Sequence, residues 1–197
     1  MKIIGLTGSI GMGKSTTAKI LRRMGFPIYS ADAAVHEVLK KGGKAVDAVA
    51  NLFPETLKRG AIDRTLLGQA VFSHPDKLRK LERIIHPLVR QSERAFLQKA
   101  RKAKTPAVLL EIPLLFETGS EKRCDLTLCV TAPRAVQKAR VLSRPDMTEE
   151  KLRAILARQM PDAEKRRRAD YVIPTGKGQE ATEHHLHKLF RKLSLYT

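Results

Sequence analysis

The sequence predicts a three-layer α/β fold, a five-stranded parallel sheet with helices on both faces, and three observations over its 197 residues carry that expectation. Five short apolar runs alternate with helical stretches. The runs are almost continuously apolar, as strands covered on both faces must be. Their spacing is uneven, which adds a helical insertion. Lys2–Thr7 is the first strand, and Lys14–Met24 follows as a helix with Ala18, Leu21 and Met24 on its apolar side and Gly25 to end it. Pro27–Ser30 is the second strand. From Asp32 to Thr105 no strand signal appears. Helical patterns run over Ala33–Lys41, Gly43–Phe53, Asp63–Phe72, Pro75–Ile85 and Pro87–Lys102, punctuated by Pro54, Gly60, Pro75 and Pro87. That is too much chain for one crossover helix, so it reads as an insertion packed beside the sheet. Ala107–Ile112, Asp125–Thr131 and Ala169–Ile173 complete the strands.

The turn after the first strand carries the most specific chemistry. Gly8-Ser9-Ile10-Gly11-Met12-Gly13-Lys14-Ser15 fits G-x-x-x-x-G-K-[ST], and Thr16 continues it. A loop around a polyphosphate must turn successive N–H groups inward, and glycines allow those dihedrals without a Cβ in the way. The helix that begins at Lys14 adds its positive end. Lys14 can reach the β and γ phosphates, and the Ser15 hydroxyl can ligate Mg²⁺. A dinucleotide-binding G-x-G-x-x-G would need glycine where Thr16 stands. The reading is a P-loop of the NTPase type that binds a nucleoside triphosphate with Mg²⁺.

A phosphate cradle serves switches, motors and kinases alike, so the rest of the sheet edge matters. Asp32 follows the second strand in "IYSADAAV", at the carboxyl edge where the ligand crevice lies. It is equally an N-cap of the next helix or a group that deprotonates an acceptor hydroxyl. Glu111 closes the third strand in "AVLLEIPLLFE", where an acid can hold Mg²⁺ through water. Arg140 and Arg144 stand at i, i+4 in "QKARVLSRPDMTEEK", ahead of a break at Pro145-Asp146. They suit either a lid closing over phosphates or a solvated basic face. The histidines of "EHHLHK", 183–188, have no acidic or cysteine partners in metal spacing and read as a solvated helix face. Cys124 and Cys129 match no zinc pattern and read as buried structural thiols.

Hydrophobic residues make up 42 % of the chain, enough for a proper core. No apolar run approaches a membrane span and no cleavable leader is visible, so a cytoplasmic protein with no membrane partner is expected. The formal net charge is +18. Arg79–Lys104 holds nine Lys/Arg against two acids, and Arg134–Arg168 eleven against five. Charge of this size calls for an anionic partner, nucleic acid or phosphorylated small molecules, or for a solvated basic surface. The aromatic residues are scattered singly, without the interleaving of single-strand binders.

The segments "GLTGSIGMGKST", "ADAAVHEVL", "DRTLLGQAVF", "LERIIHPLVR", "IPLLFE", "QKARVLSR" and "ADYVI" occur in an order that resembles the dephospho-CoA kinases, over roughly residues 1 to 176. That resemblance implies ATP-dependent phosphorylation of the ribose 3′-hydroxyl of dephospho-CoA, the last step of coenzyme A synthesis. It implies a nucleotide-binding core (1–31, 105–132 and 161–197), a helical substrate domain (32–104) and a lid (133–160). Asp32 falls on the family acid that takes the hydroxyl proton, and Arg140 on the lid arginine near the ATP phosphates. His86 and Arg90 fall in the His-Pro motif of the substrate region, and Leu114 to Glu117 border the acceptor site. ATP and dephospho-CoA are then the partners of a monomeric enzyme, with no specific nucleic acid. Two departures stand out. Glu111 replaces the usual Asp, and Pro174-Thr175-Gly176 replaces an Asn-containing turn near the adenine.

Overall fold

The computed structural model describes residues 1–72 and 74–196. Ser73, within the expected insertion, and Thr197, at the end of the expected core, lie outside the described residues. In chain order the elements are β1 (Lys2–Thr7), α1 (Lys14–Arg23), β2 (Ile28–Ser30), α2 (Ala31–Leu39), α3 (Val46–Leu52), β3 (Leu57–Lys58), β4 (Ala61–Ile62) and α4 (Arg64–Phe72). Then follow α5 (Pro75–Lys102), β5 (Ala107–Glu111), β6 (Leu126–Thr131), α6 (Arg134–Leu142), α7 (Glu149–Ala157), α8 (Asp162–Arg168), β7 (Tyr171–Pro174) and α9 (Gln179–Lys192). Contacts divide the chain into two compact units, Met1–Tyr29 with Ala100–Thr197, and Ser30–Lys99.

The first unit is built on the five-stranded sheet, ordered β2-β5-β1-β6-β7. β1 pairs in parallel with β5 (Ile4↔Leu109) and with β6 (Leu6↔Leu128), and β6 with β7 (Val130↔Ile173). Central β1 is buried on both sides, which accounts for its lack of alternation. Ile4 and Leu6 join Ile20, Leu21, Leu109, Leu128, Leu186 and Phe190 in one core. On the opposite side Gly5 meets Leu115 and Cys124 so closely that a Cβ would lie 2.9 Å from each. β7 starts later than the sequence predicts, because Asp170 is used as a bracket. Its Oδ2 accepts from the Thr127 N–H (2.8 Å) and hydroxyl (2.7 Å). Pro174 is tolerated because β7 is an edge strand with no further ladder to serve.

The second unit packs Val38, Leu39, Val46, Val49, Phe53, Ile62, Leu67, Leu81 and Ile85 into its own core. Two expectations are corrected here. The segment holds a small antiparallel hairpin, β3 with β4, where no strand was expected. Arg59 (φ 51°) and Gly60 (φ 80°) are both left-handed, as a two-residue primed turn demands. Only the glycine advertises that turn. The two helices expected on either side of His86-Pro87 are one continuous helix, α5, with Pro87 inside it. Pro87 costs one backbone hydrogen bond. Leu81, Ile84, Ile85, Leu88 and Val89 nevertheless carry one apolar stripe across it into the same core, and that burial outweighs the break.

Candidate active site

The glycine loop leaves β1 and enters α1 at Lys14. Its glycines answer to sterics as well as to backbone freedom. Gly11 (φ 77°) would place a Cβ 2.5 Å from Val141 Cγ2, and Gly13 (φ 90°) one 2.9 Å from Thr175 Oγ1. Ile10 is clamped at both ends of its peptide: Gln137 Nε2 donates to its carbonyl (2.8 Å), and its N–H donates to Gln159 Oε1 (3.1 Å). Gly8, Ser9, Gly11 and Met12 are buried, whereas Ser15 and Thr16 are exposed in the first turn of α1. The inner rim of the loop is thus fixed, and its hydroxyls at the helix start remain open to a ligand.

Lys14 Nζ lies 2.9 Å from Glu111 Oε1, and both side chains are nearly buried (13 % and 10 % exposed). The pair joins the ends of neighbouring strands, since β1 and β5 run in parallel and Leu6 faces Glu111 in the register. A buried cation needs a partner, and Glu111 supplies it. Glu111 and the Ser15 hydroxyl offer the hard oxygens that Mg²⁺ takes. Among the described residues no group of three His, Cys, Asp or Glu side chains is set to hold a metal. Mg²⁺ usually takes one or two protein oxygens together with phosphate and water.

Arg140 and Arg144 part company. α6 ends at Leu142, so Arg144 lies beyond the helix and exposed, and the shared helix face expected from their spacing does not form. Arg140 is half-buried, and its guanidinium grips one residue twice: Nη1 donates to Thr175 Oγ1 (3.0 Å) and Nη2 to the Thr175 carbonyl (2.7 Å). Thr175 is buried, and its hydroxyl donates to the Met12 carbonyl (2.8 Å). Gln137, Gln159 and Thr175 are parts of the loop's support that sequence reasoning did not single out as site residues. Their bonds to the loop span 127, 149 and 163 positions, and no local pattern marks them.

Beyond β5, Leu114 is exposed. Glu117 faces inward, where its Oε1 lies 2.8 Å from Lys165 Nζ and accepts from the Met160 N–H (2.8 Å). Lys165 is completely buried and also donates to the Pro113 carbonyl (3.0 Å), which accepts the Thr7 hydroxyl as well (3.1 Å). The segment after β5 is therefore pinned from two sides.

In the second unit, Asp32 sits in the first turn of α2, exposed. The N-cap of that helix is Ser30, whose hydroxyl accepts from the Ala33 N–H (3.4 Å), so the capping alternative for Asp32 is overturned. His86 and Arg90 stand one turn apart on α5 and line one shallow depression with Arg79, Glu82, Arg83 and Pro87. Of the two cysteines, Cys129 is buried in β6 and Cys124 half-buried, and neither forms a disulfide. Burial, reinforced by the Asp162 carboxylate, pushes the Cys129 thiol up to about 12. The histidines of 183–188 lie on α9, where Glu183 pairs with Arg23 (2.9 Å) and His187 packs edge-on against Tyr196.

The dephospho-CoA kinase family model matches residues 2–180. A dephospho-CoA kinase of Paramagnetospirillum magneticum is 59 % identical over 166 residues, 84 % of this chain and 78 % of that protein. A solved Thermus thermophilus structure superposes with a TM-score of 0.84 at 38 % identity, covering 98 % of this chain and 97 % of that one. The dephospho-CoA kinase from Campylobacter jejuni gives a TM-score of 0.73 at 27 % identity, covering 98 % and 96 %. These similarities span both compact units.

Proposed function

The chain belongs to the dephospho-CoA kinase family, and from that membership we propose how its side chains divide the transfer of a phosphoryl group from ATP to the 3′-hydroxyl of dephospho-CoA. The Lys14–Glu111 pair at the mouth of the glycine loop carries the reading, because it sets a cation and an acid at the carboxyl edge of adjacent strands. ATP lies along residues 8–16, with backbone N–H groups and the start of α1 facing its phosphates. Lys14 exchanges Glu111 for a phosphate oxygen, and with Arg140 it covers the charge that develops on the migrating group. Ser15 and Glu111 would hold Mg²⁺, which would supply neutralisation of phosphate charge during the transfer. Asp32 orients the acceptor hydroxyl and takes its proton. His86 and Arg90 bind the acceptor, and Leu114 with Glu117 borders it. On this reading 32–104 is the substrate domain and 133–160 the lid of a monomeric, cytoplasmic enzyme. No helix among the described residues is long and apolar enough to cross a membrane.

The test is direct. The protein is incubated with Mg·ATP and dephospho-CoA, and coenzyme A is sought by mass. Lys14→Ala is expected to lower turnover by at least about 10²–10³-fold, the scale of one lost charge-stabilising donor. Asp32→Asn is expected to lose about 10²–10⁴-fold, the scale of a general base. Turnover near normal in Asp32→Asn removes the proposed base; no product from the parent protein removes the whole reading.

A further inference from the structure

We propose that Thr175 is a positioning residue for phosphoryl transfer, the post that fixes Arg140 against the phosphate loop. The inference deepens the reading above and rests on Arg140 acting at the phosphates. Thr175 is buried at the end of the edge strand β7, and its N–H donates to the Thr131 carbonyl (2.8 Å), so its backbone is held by β6. Its hydroxyl has one proton and faces two carbonyls, Met12 (2.8 Å) and Thr131 (3.2 Å). With that proton given away, an oxygen lone pair remains for Arg140 Nη1 at 3.0 Å. A hydroxyl is the smallest group that can donate to the loop and accept from the arginine at the same atom. The second Arg140 bond, to the Thr175 carbonyl at 2.7 Å, makes the grip bidentate and fixes the guanidinium plane. The same oxygen lies only 2.9 Å from where a Cβ on Gly13 would fall. Arg140 is thereby tied to the residue that presses on Gly13, just before Lys14, and its direction is set by the protein's own bonds.

The experiment is a double-mutant cycle on the full chain, with kcat and KM for ATP measured at saturating dephospho-CoA for Thr175→Val, Thr175→Ser, Arg140→Ala and Thr175→Val/Arg140→Ala. Thr175→Val keeps the outline and removes the hydroxyl. It is expected to lower kcat by roughly tenfold or more, with a smaller change in KM, because a misdirected arginine fails where charge develops. Thr175→Ser restores the hydroxyl and is expected within about threefold of the parent. In the Arg140→Ala background Thr175→Val should cost less than about threefold, since the two act as one unit. Three results overturn the inference while leaving Arg140 in place: full activity in Thr175→Val, an equal loss in both backgrounds, or Thr175→Ser as impaired as Thr175→Val. Normal activity in Arg140→Ala removes Arg140's role at the phosphates, and the inference with it. Should Thr175→Val show no thermal unfolding transition, Thr175→Ala replaces it in the same cycle.

Discussion

Lys14 is paired with Glu111, and the two side chains shield each other from water. Removing either charge leaves the other buried and uncompensated, which destabilises strongly. Glu111→Gln is therefore expected to lower the denaturation midpoint and to raise the Mg²⁺ concentration for half-maximal activity. Metal titration at fixed ATP, beside a melting curve, checks both. Cys129 makes the opposite case, a group kept neutral. Its thiol is held near 12 when folded and returns toward 9.0 when exposed, so the unfolded chain releases that proton first as pH rises. The stability it contributes is intact below about pH 9 and is lost between there and about pH 12. Cys129→Ala should flatten the fall of stability across that window, and the native thiol should resist alkylating reagents until the chain unfolds. At this scale the sequence was readable wherever the backbone itself makes the demand. The glycines of residues 8–13 are forced by the turn and by Val141 and Thr175 pressing on it. Gln137 and Gln159 were not readable, and Thr175 was marked only as part of an unusual turn, because an ordinary polar residue shows its task only when the sheet brings its partner to it.

α5 shows how an element can overrule its own sequence. Proline is the strongest local signal against a helix, yet the apolar stripe from Leu81 to Val89 continues across Pro87 and a second core closes on it. Pro87 is itself exposed. Pro87→Ala returns one N–H to the helix and is expected to stabilise the chain by about 1–3 kcal/mol, somewhat under the full penalty of an interior proline. On the proposed role of His86 and Arg90 in binding the acceptor, the same variant raises KM for dephospho-CoA. Chemical denaturation and steady-state kinetics on one preparation separate the two effects. The hairpin of β3 and β4 escaped notice for the reverse reason. Two-residue strands cannot show alternation, and Arg59 occupies a left-handed position that Asn or Gly ordinarily marks. The central strands were legible because the sheet buries them on both faces, and the ends of four of the five strands moved by one or two residues, at Asp170 because its carboxylate brackets Thr127.

Across the whole molecule, the formal charge of +18 gives a field that gathers anions before any contact forms. ATP and dephospho-CoA are both polyanions. Their capture should weaken with salt, and kcat/KM is expected to fall by about tenfold between roughly 0.05 and 0.5 M salt while kcat changes little. A salt-independent kcat/KM assigns the charge to solubility instead. Composition announced the size of this field and by itself left its partner open between nucleic acid and small phosphates. Family resemblance pointed to the latter, and the salt dependence tests whether the charge serves them.

The bond from Thr175 to Met12 joins residues 163 positions apart. On the ribosome the phosphate loop is therefore made well before the residue that finishes it. A nascent chain that has delivered β1 and α1 has the glycines and Lys14 but neither the Gln137 and Gln159 clamps nor the post at Thr175. The nucleotide site matures only when translation has passed β7, so a chain stalled before residue 175 carries the motif without the support its structure gives it.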